Sequence, residues 1–167
     1  MTRLALAGAL LLAGPAALGA QVRDRAVSDS AFAIWASASL GPGGASGSRS
    51  TLVGGQFAVW GSVNEIVFGV RRAGAANLDN RDTYDTAALV GLRARSTSVT
   101  AFAAVGPSVI GGTRSGDALG SEVGLSAAGE YALNFRYIGA GVAAFGAIGS
   151  RTRFAGVGFT LELGKIR

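Results

Sequence analysis

The chain has no cysteine and no histidine in 167 residues, only three prolines, and a single methionine. Without cysteine there is no disulfide framework, no thiol nucleophile and no thiolate ligand, and without histidine the mixed Cys/His zinc patterns are excluded as well. A lipid-anchored lipoprotein is excluded for the same reason. Charge is scarce: 15% of the residues are charged, against 49% hydrophobic. Fourteen of the fifteen cations are arginine. They are scattered, with no basic run and no aromatic platform on the same face, which excludes a nucleic-acid surface. The length suits one domain.

Long apolar runs are also nearly missing. The one at the start, within "MTRLALAGALLLAGPAALGA" (residues 1–20), follows an early Arg3 and runs from Leu4 to Leu12. It is shorter than the ~20 residues of a membrane span. The Gly14-Pro15 break and the small residues after it match a secretory signal peptide, with cleavage expected after Gly19 or Ala20. The mature chain then has 147 residues and a charge of 14 − 10 = +4. A polar leader, "QVRDRAVSDS" (21–30), is expected in the periplasm. No later stretch resembles a transmembrane helix, so entry into a membrane would require a closed barrel.

What is present is alternation. Eight apolar-alternating runs lie near 31–41, 51–61, 64–73, 84–95, 98–110, 119–134, 136–148 and 153–164. Period two signals strands with unlike faces, and glycine spread through the runs argues against helix. Long connectors alternate with short joints near Gly61-Ser62-Val63, Ser96-Thr97 and Phe135, as in an up-and-down antiparallel sheet. The expected fold is therefore all-β, an eight-stranded antiparallel up-and-down transmembrane β-barrel over residues 31–167, with the long loops extracellular.

Charge density decides which face meets water. One face collects residues such as Ile66, Phe68, Val70, Val90, Leu92, Val123, Leu125, Phe159 and Leu161. The other holds Glu65, Gly69, Arg71, Asp85, Arg93, Thr100, Ser126, Glu130, Gly139, Thr160 and Glu162. A solvated exterior carries roughly 25–35% charged residues. The second face is too rich in Gly, Ala and Ser for that, but it suits the interior of a small barrel. The competing reading is a soluble, lipocalin-like secreted barrel with its apolar face inward and a small apolar ligand.

The closing run "FRYIGAGVAAFGAIGSRTRFAGVGFTLELGKIR", with its Gly-rich seventh strand, "FAGV" and terminal "LGK", resembles the last hairpin of small bacterial outer-membrane β-barrels of the broad OmpA/OmpX type. That resemblance implies insertion in the outer membrane through the assembly machinery, and a structural or surface-interaction role. Many such barrels end in an aromatic residue; this chain ends Leu163-Gly164-Lys165-Ile166-Arg167. Enzymes of this kind rely on a histidine with Ser or Asp partners, and a general base near neutral pH is most often His. No enzyme activity and no cofactor or metal are expected. The loop "GPGGASGS" lacks the Lys-Ser/Thr ending of a phosphate loop.

The expected site residues are structural. Pairing strands three and four about Asn77-Leu78-Asp79 sets Arg71 against Asp85 and Glu65 against Arg93, forming a lumen network with Glu130 and Glu162, which Arg93 or Arg95 would partner. Trp35 and Trp60 should face each other in the lumen near the periplasmic end. Arg49, Arg114, Arg151 and Arg153 fall in or beside the outer loops, where lipopolysaccharide phosphates could be met. A plugged monomer rather than a wide pore is expected.

Overall fold

The structure, a computed structural model, describes residues 32–46, 52–76, 81–94, 96, 98–114 and 117–165. Eight strands follow in chain order: β1 (Phe32–Ala45), β2 (Leu52–Val63), β3 (Ile66–Ala76), β4 (Arg81–Arg93), β5 (Val99–Arg114), β6 (Asp117–Phe135), β7 (Ile138–Ile148) and β8 (Arg153–Lys165). Each pairs antiparallel with its neighbour, and β8 returns to pair with β1, so the sheet closes and leaves no edge.

Towards the loop end several strands run further than the sequence pattern suggests, and the connectors after β1, β3 and β5 are correspondingly shorter. The glycine run 41–45, read from composition as part of a loop, continues β1. Close packing accounts for this. A Cβ on Gly41 would lie 2.2 Å from the Val157 carbonyl oxygen and 2.6 Å from Gly158 Cα, so glycine here lets β1 approach β8. The turn expected near Gly61-Ser62-Val63 is at Asn64-Glu65 instead, because β2 stays paired through Val63↔Ile66. Asn64 supplies the left-handed backbone (φ 56°), a conformation asparagine adopts at little cost. The matching turn, Arg136-Tyr137, starts on Arg136 at φ 62°.

The faces sort as alternation dictates. Phe57, Val59, Ile66, Phe68, Val70, Val90, Leu92, Leu125, Leu133, Val142, Phe159, Leu161 and Leu163 are exposed on the outer wall. The arrangement is the reverse of a soluble barrel. The shortest strands have 11 residues. At ~3.3 Å per residue and a tilt of ~40° they rise about 28 Å, close to the ~30 Å of a bilayer core.

The interior is stratified. Towards the short-turn end Trp35, Trp60, Val67, Leu89, Phe102 and neighbouring alanines cluster. Towards the loop end Leu52, Ile110, Phe145 and Phe154 cluster with Ala73, Ala75 and Ala147. The buried polar side chains belong to the same inner face. Glycines make room for the large rings: a Cβ on Gly69 would lie 2.4 Å from Trp60, and one on Gly156 2.6 Å from Phe145.

Candidate functional site: the charged layer of the lumen

Among the described residues five charged side chains are buried inside the barrel, none more than 9% exposed: Arg71, Asp85, Arg93, Glu130 and Glu162. Their parity along the strands turns them inward, and closure of the sheet brings together residues far apart in sequence. Arg71 Nη2 donates to Asp85 Oδ2 at 2.6 Å, with both side chains fully buried. Arg71 Nη1 donates to the Ala127 carbonyl at 2.8 Å, and the guanidinium carbon lies 6.0 Å from the Phe145 ring centroid. The Ser126 hydroxyl donates to the same Asp85 oxygen.

Strands β3 and β4 pair with Arg71 opposite Ala87 and Asp85 opposite Ala73. The ion pair is therefore diagonal, two residues away from the direct opposition expected from the sequence. The long guanidinium arm spans that offset, which lies within cross-strand reach. Glu65 departs from expectation more clearly. It keeps the register to Arg93, whose N–H donates to the Glu65 carbonyl at 2.8 Å. However, it lies in the Asn64-Glu65 turn with an exposed side chain, below the point where β3 begins. It is not a residue of the lumen interior. Parity alone put it there, and the turn removes it.

Glu130 also finds partners other than the expected arginines. Ser37 Oγ donates to its Oε1 at 2.7 Å and Gln56 Nε2 at 3.0 Å. Trp60 Nε1 donates to Ser37 Oγ at 3.1 Å, which ties the indole to the carboxylate. Ser37 and Gln56 were not singled out in the sequence; their inward parity was the available signal. Glu162 pairs with Ser37 of β1 and Gly139 of β7, while Arg93 Nη1 donates to Ser62 Oγ at 2.7 Å. Arg93 also stands 5.9 Å from the Trp35 ring. Arg95 lies outside the described residues.

Trp35 and Trp60 are direct cross-strand partners, both inside the barrel. Phe102 meets both edge-on, at centroid distances of 5.9 and 4.6 Å. The three rings lie beside Arg93 at the short-turn end.

Of the rim arginines, Arg49 lies outside the described residues, and Arg114 closes β5 with its backbone opposite Arg81 and Asp117. Arg151 and Arg153 are exposed where β7 turns into β8. That turn is organised by Glu122, a residue the sequence reading passed over. Its carboxylate accepts from Ser150 Oγ (2.6 Å), Arg151 N (3.0 Å) and Thr152 N (2.7 Å). Glu122 lies on the part of β6 that extends past its last β7 pairing at Leu125↔Ile148, at the loop end. The Ser150 hydroxyl, with the two backbone N–H groups, lowers its pKa to about 2.

The architecture is that of the small eight-stranded outer-membrane barrels. Neisserial surface protein A superposes with a TM-score of 0.61 at 13% identity, over 80% of this chain and 97% of that one. Ail of Yersinia pestis, in complex with the heparin analogue sucrose octasulfate, gives a TM-score of 0.52 at 11% identity, over 80% and 95%. No family model matches the chain, and no curated protein matches it. At these identities the likeness is one of fold.

Proposed function

We propose that the mature chain is an integral protein of the bacterial outer membrane, a small monomeric barrel with a closed lumen and a structural or surface-interaction role. The observation that carries this reading is the inverted distribution of side chains. Apolar residues form the outer wall while Arg71, Asp85, Arg93, Glu130 and Glu162 are sealed inside. In water such a wall would be a large apolar patch that drives association; in lipid it is solvated. The soluble carrier reading needs an apolar interior with room for a ligand. Here rings and a charged layer occupy the interior instead. The two apolar clusters, one towards each end of the barrel, support a lumen that does not conduct solutes.

An enzymatic role is disfavoured by the lack of any histidine in the sequence. Residues 1–20 serve as the cleaved signal and 21–30 as a periplasmic leader, and assembly uses the outer-membrane insertion machinery. Arg151 and Arg153, exposed at the loop end, meet lipopolysaccharide phosphates through charge-assisted contacts.

The test is fractionation of cells expressing the full chain. An integral barrel stays in the membrane pellet through alkaline carbonate washing and migrates faster on gels unheated than boiled. Recovery in the soluble periplasmic fraction would overturn the reading. Single-channel steps of porin size in planar bilayers would overturn the closed lumen.

A further inference from the structure

Among the described residues, three of the five buried charges are carboxylates and two are guanidiniums, which leaves this set one negative charge in excess. Asp85 is matched by Arg71. The excess falls on Glu130 and Glu162, which meet around Ser37: its hydroxyl donates to Glu130 Oε1 at 2.7 Å, and its backbone pairs directly with Glu162 on β8. Yet Oε2 of Glu130 and both oxygens of Glu162 are buried and accept no hydrogen bond.

Most of the donors around them have other partners, while Trp35 Nε1 and Arg71 Nε have none. On β1, Ser37 serves Glu130 Oε1, as does Gln56 on β2. Trp60 of β2 donates to Ser37. On β3 and β4, Arg71 is bound to Asp85 and Ala127, and Arg93 donates to Ser62. On β5 and β6, Thr100 Oγ1 donates to Asn134 Oδ1 at 3.2 Å. On β7, Gly139 supplies only the space: a Cβ there would lie 2.7 Å from Glu162 Oε2 and 3.0 Å from Asn134 Oδ1.

We propose that Glu130 and Glu162 together form a proton-binding site, holding one shared proton between their carboxyl oxygens at neutral pH. Two facing carboxylates in a site shielded from water repel strongly, and one proton removes that repulsion. It converts two acceptor-only groups into a donor and an acceptor joined by a short charge-assisted hydrogen bond. It also brings the layer to electroneutrality, with two cations against Asp85 and one singly charged carboxyl pair. The proton comes from solvent and no bond other than O–H forms. The site depends on closure of the barrel, since its two residues come from β6 and β8 and its hydrogen-bond partners from β1 and β2.

Infrared spectroscopy of the full mature chain folded in detergent micelles reads the proton directly. At pH 7 the wild type should show a protonated-carboxyl C=O band that shifts in deuterium oxide. Glu162→Gln and Glu130→Gln should each abolish it, while Glu122→Gln, at the loop end, should leave it intact. Absence of the band in the wild type, or its survival in both lumen variants, overturns the proposal.

Thermal unfolding provides a second readout. Raising the pH from about 7 to about 10 should lower the wild-type Tm, because removing the shared proton leaves two facing charges. Glu162→Gln should show a flat profile, since its amide N–H supplies the bond without a titrating proton. If Glu162→Gln fails to fold, Glu130→Gln carries the same comparison. Equal profiles in wild type and variant, or a wild-type Tm that follows sodium or potassium concentration instead of pH, overturn it. Neither readout depends on the cellular location of the barrel.

Discussion

Removing the carboxylate of Asp85 should be among the most damaging single changes in the barrel wall. The Arg71–Asp85 pair is fully buried at 2.6 Å. Asp85→Ala would leave Arg71 with its bonds to the Ala127 and Gly146 carbonyls but without its ion-pair partner. Breaking one side of a buried pair costs about 3–5 kcal/mol. At ~1.4 kcal/mol per factor of ten, that lowers the folding equilibrium constant by between about a hundredfold and a few thousandfold. Equilibrium urea unfolding in lipid vesicles, followed by the gel shift between folded and unfolded forms, would measure it. The double variant Arg71→Met/Asp85→Leu should recover most of the loss, since the penalty lies in the stranded charge and a well-packed apolar pair carries none. A loss below about 1 kcal/mol for Asp85→Ala, the range of a solvated pair, would refute the reasoning. The polar face would then be bathed in water.

Three further outcomes follow from the geometry. Glu122 should titrate near pH 2 by carboxyl NMR. Because its folded-state pKa is depressed, its contribution to holding the β7–β8 turn is fully present above the ordinary glutamate value of ~4.3 and is lost as the pH falls towards 2; titration at the ordinary value would show that Glu122 does not clamp the turn. Both tryptophans should resist quenching by brominated lipids, because Trp35 and Trp60 point into the lumen and are at most 2% exposed; strong quenching would place an indole on the lipid side. Gly69→Ala should destabilise the barrel by roughly 1–3 kcal/mol, the usual cost of overpacking, since its Cβ would lie 2.4 Å from the Trp60 ring and 2.6 Å from the Val59 carbonyl oxygen. An unchanged urea midpoint for Gly69→Ala would show that the indole moves aside freely.

Much of this protein was determined by the order of its residues. Alternation at period two is a local property, so it assigned the eight strands and separated Phe68, Val70, Phe159 and Leu161 from Arg71, Thr160 and Glu162. The near absence of charge then decided that the apolar set faces outward. The symmetry of the first hairpin was enough to set Trp35 opposite Trp60. Local signals faltered wherever packing overrides composition. Glycines at 41 and 43 look like a loop yet continue β1, because their missing side chains let it lie close to β8 at Val157 and to β2 at Gly54. Glu65 has the parity of a lumen residue yet sits in a turn, because a left-handed Asn64 ends the strand before it. Only closure of the barrel decided the partners inside. Ser37 and Glu130 are 93 residues apart in sequence, and Ser37 is in turn the β1 partner of Glu162 on the returning strand. The register between strands, the diagonal of Arg71 to Asp85 and the meeting of two carboxylates depend on how far the sheet shears before β8 joins β1. That quantity is a sum over all eight strands, and no single stretch of sequence encodes it.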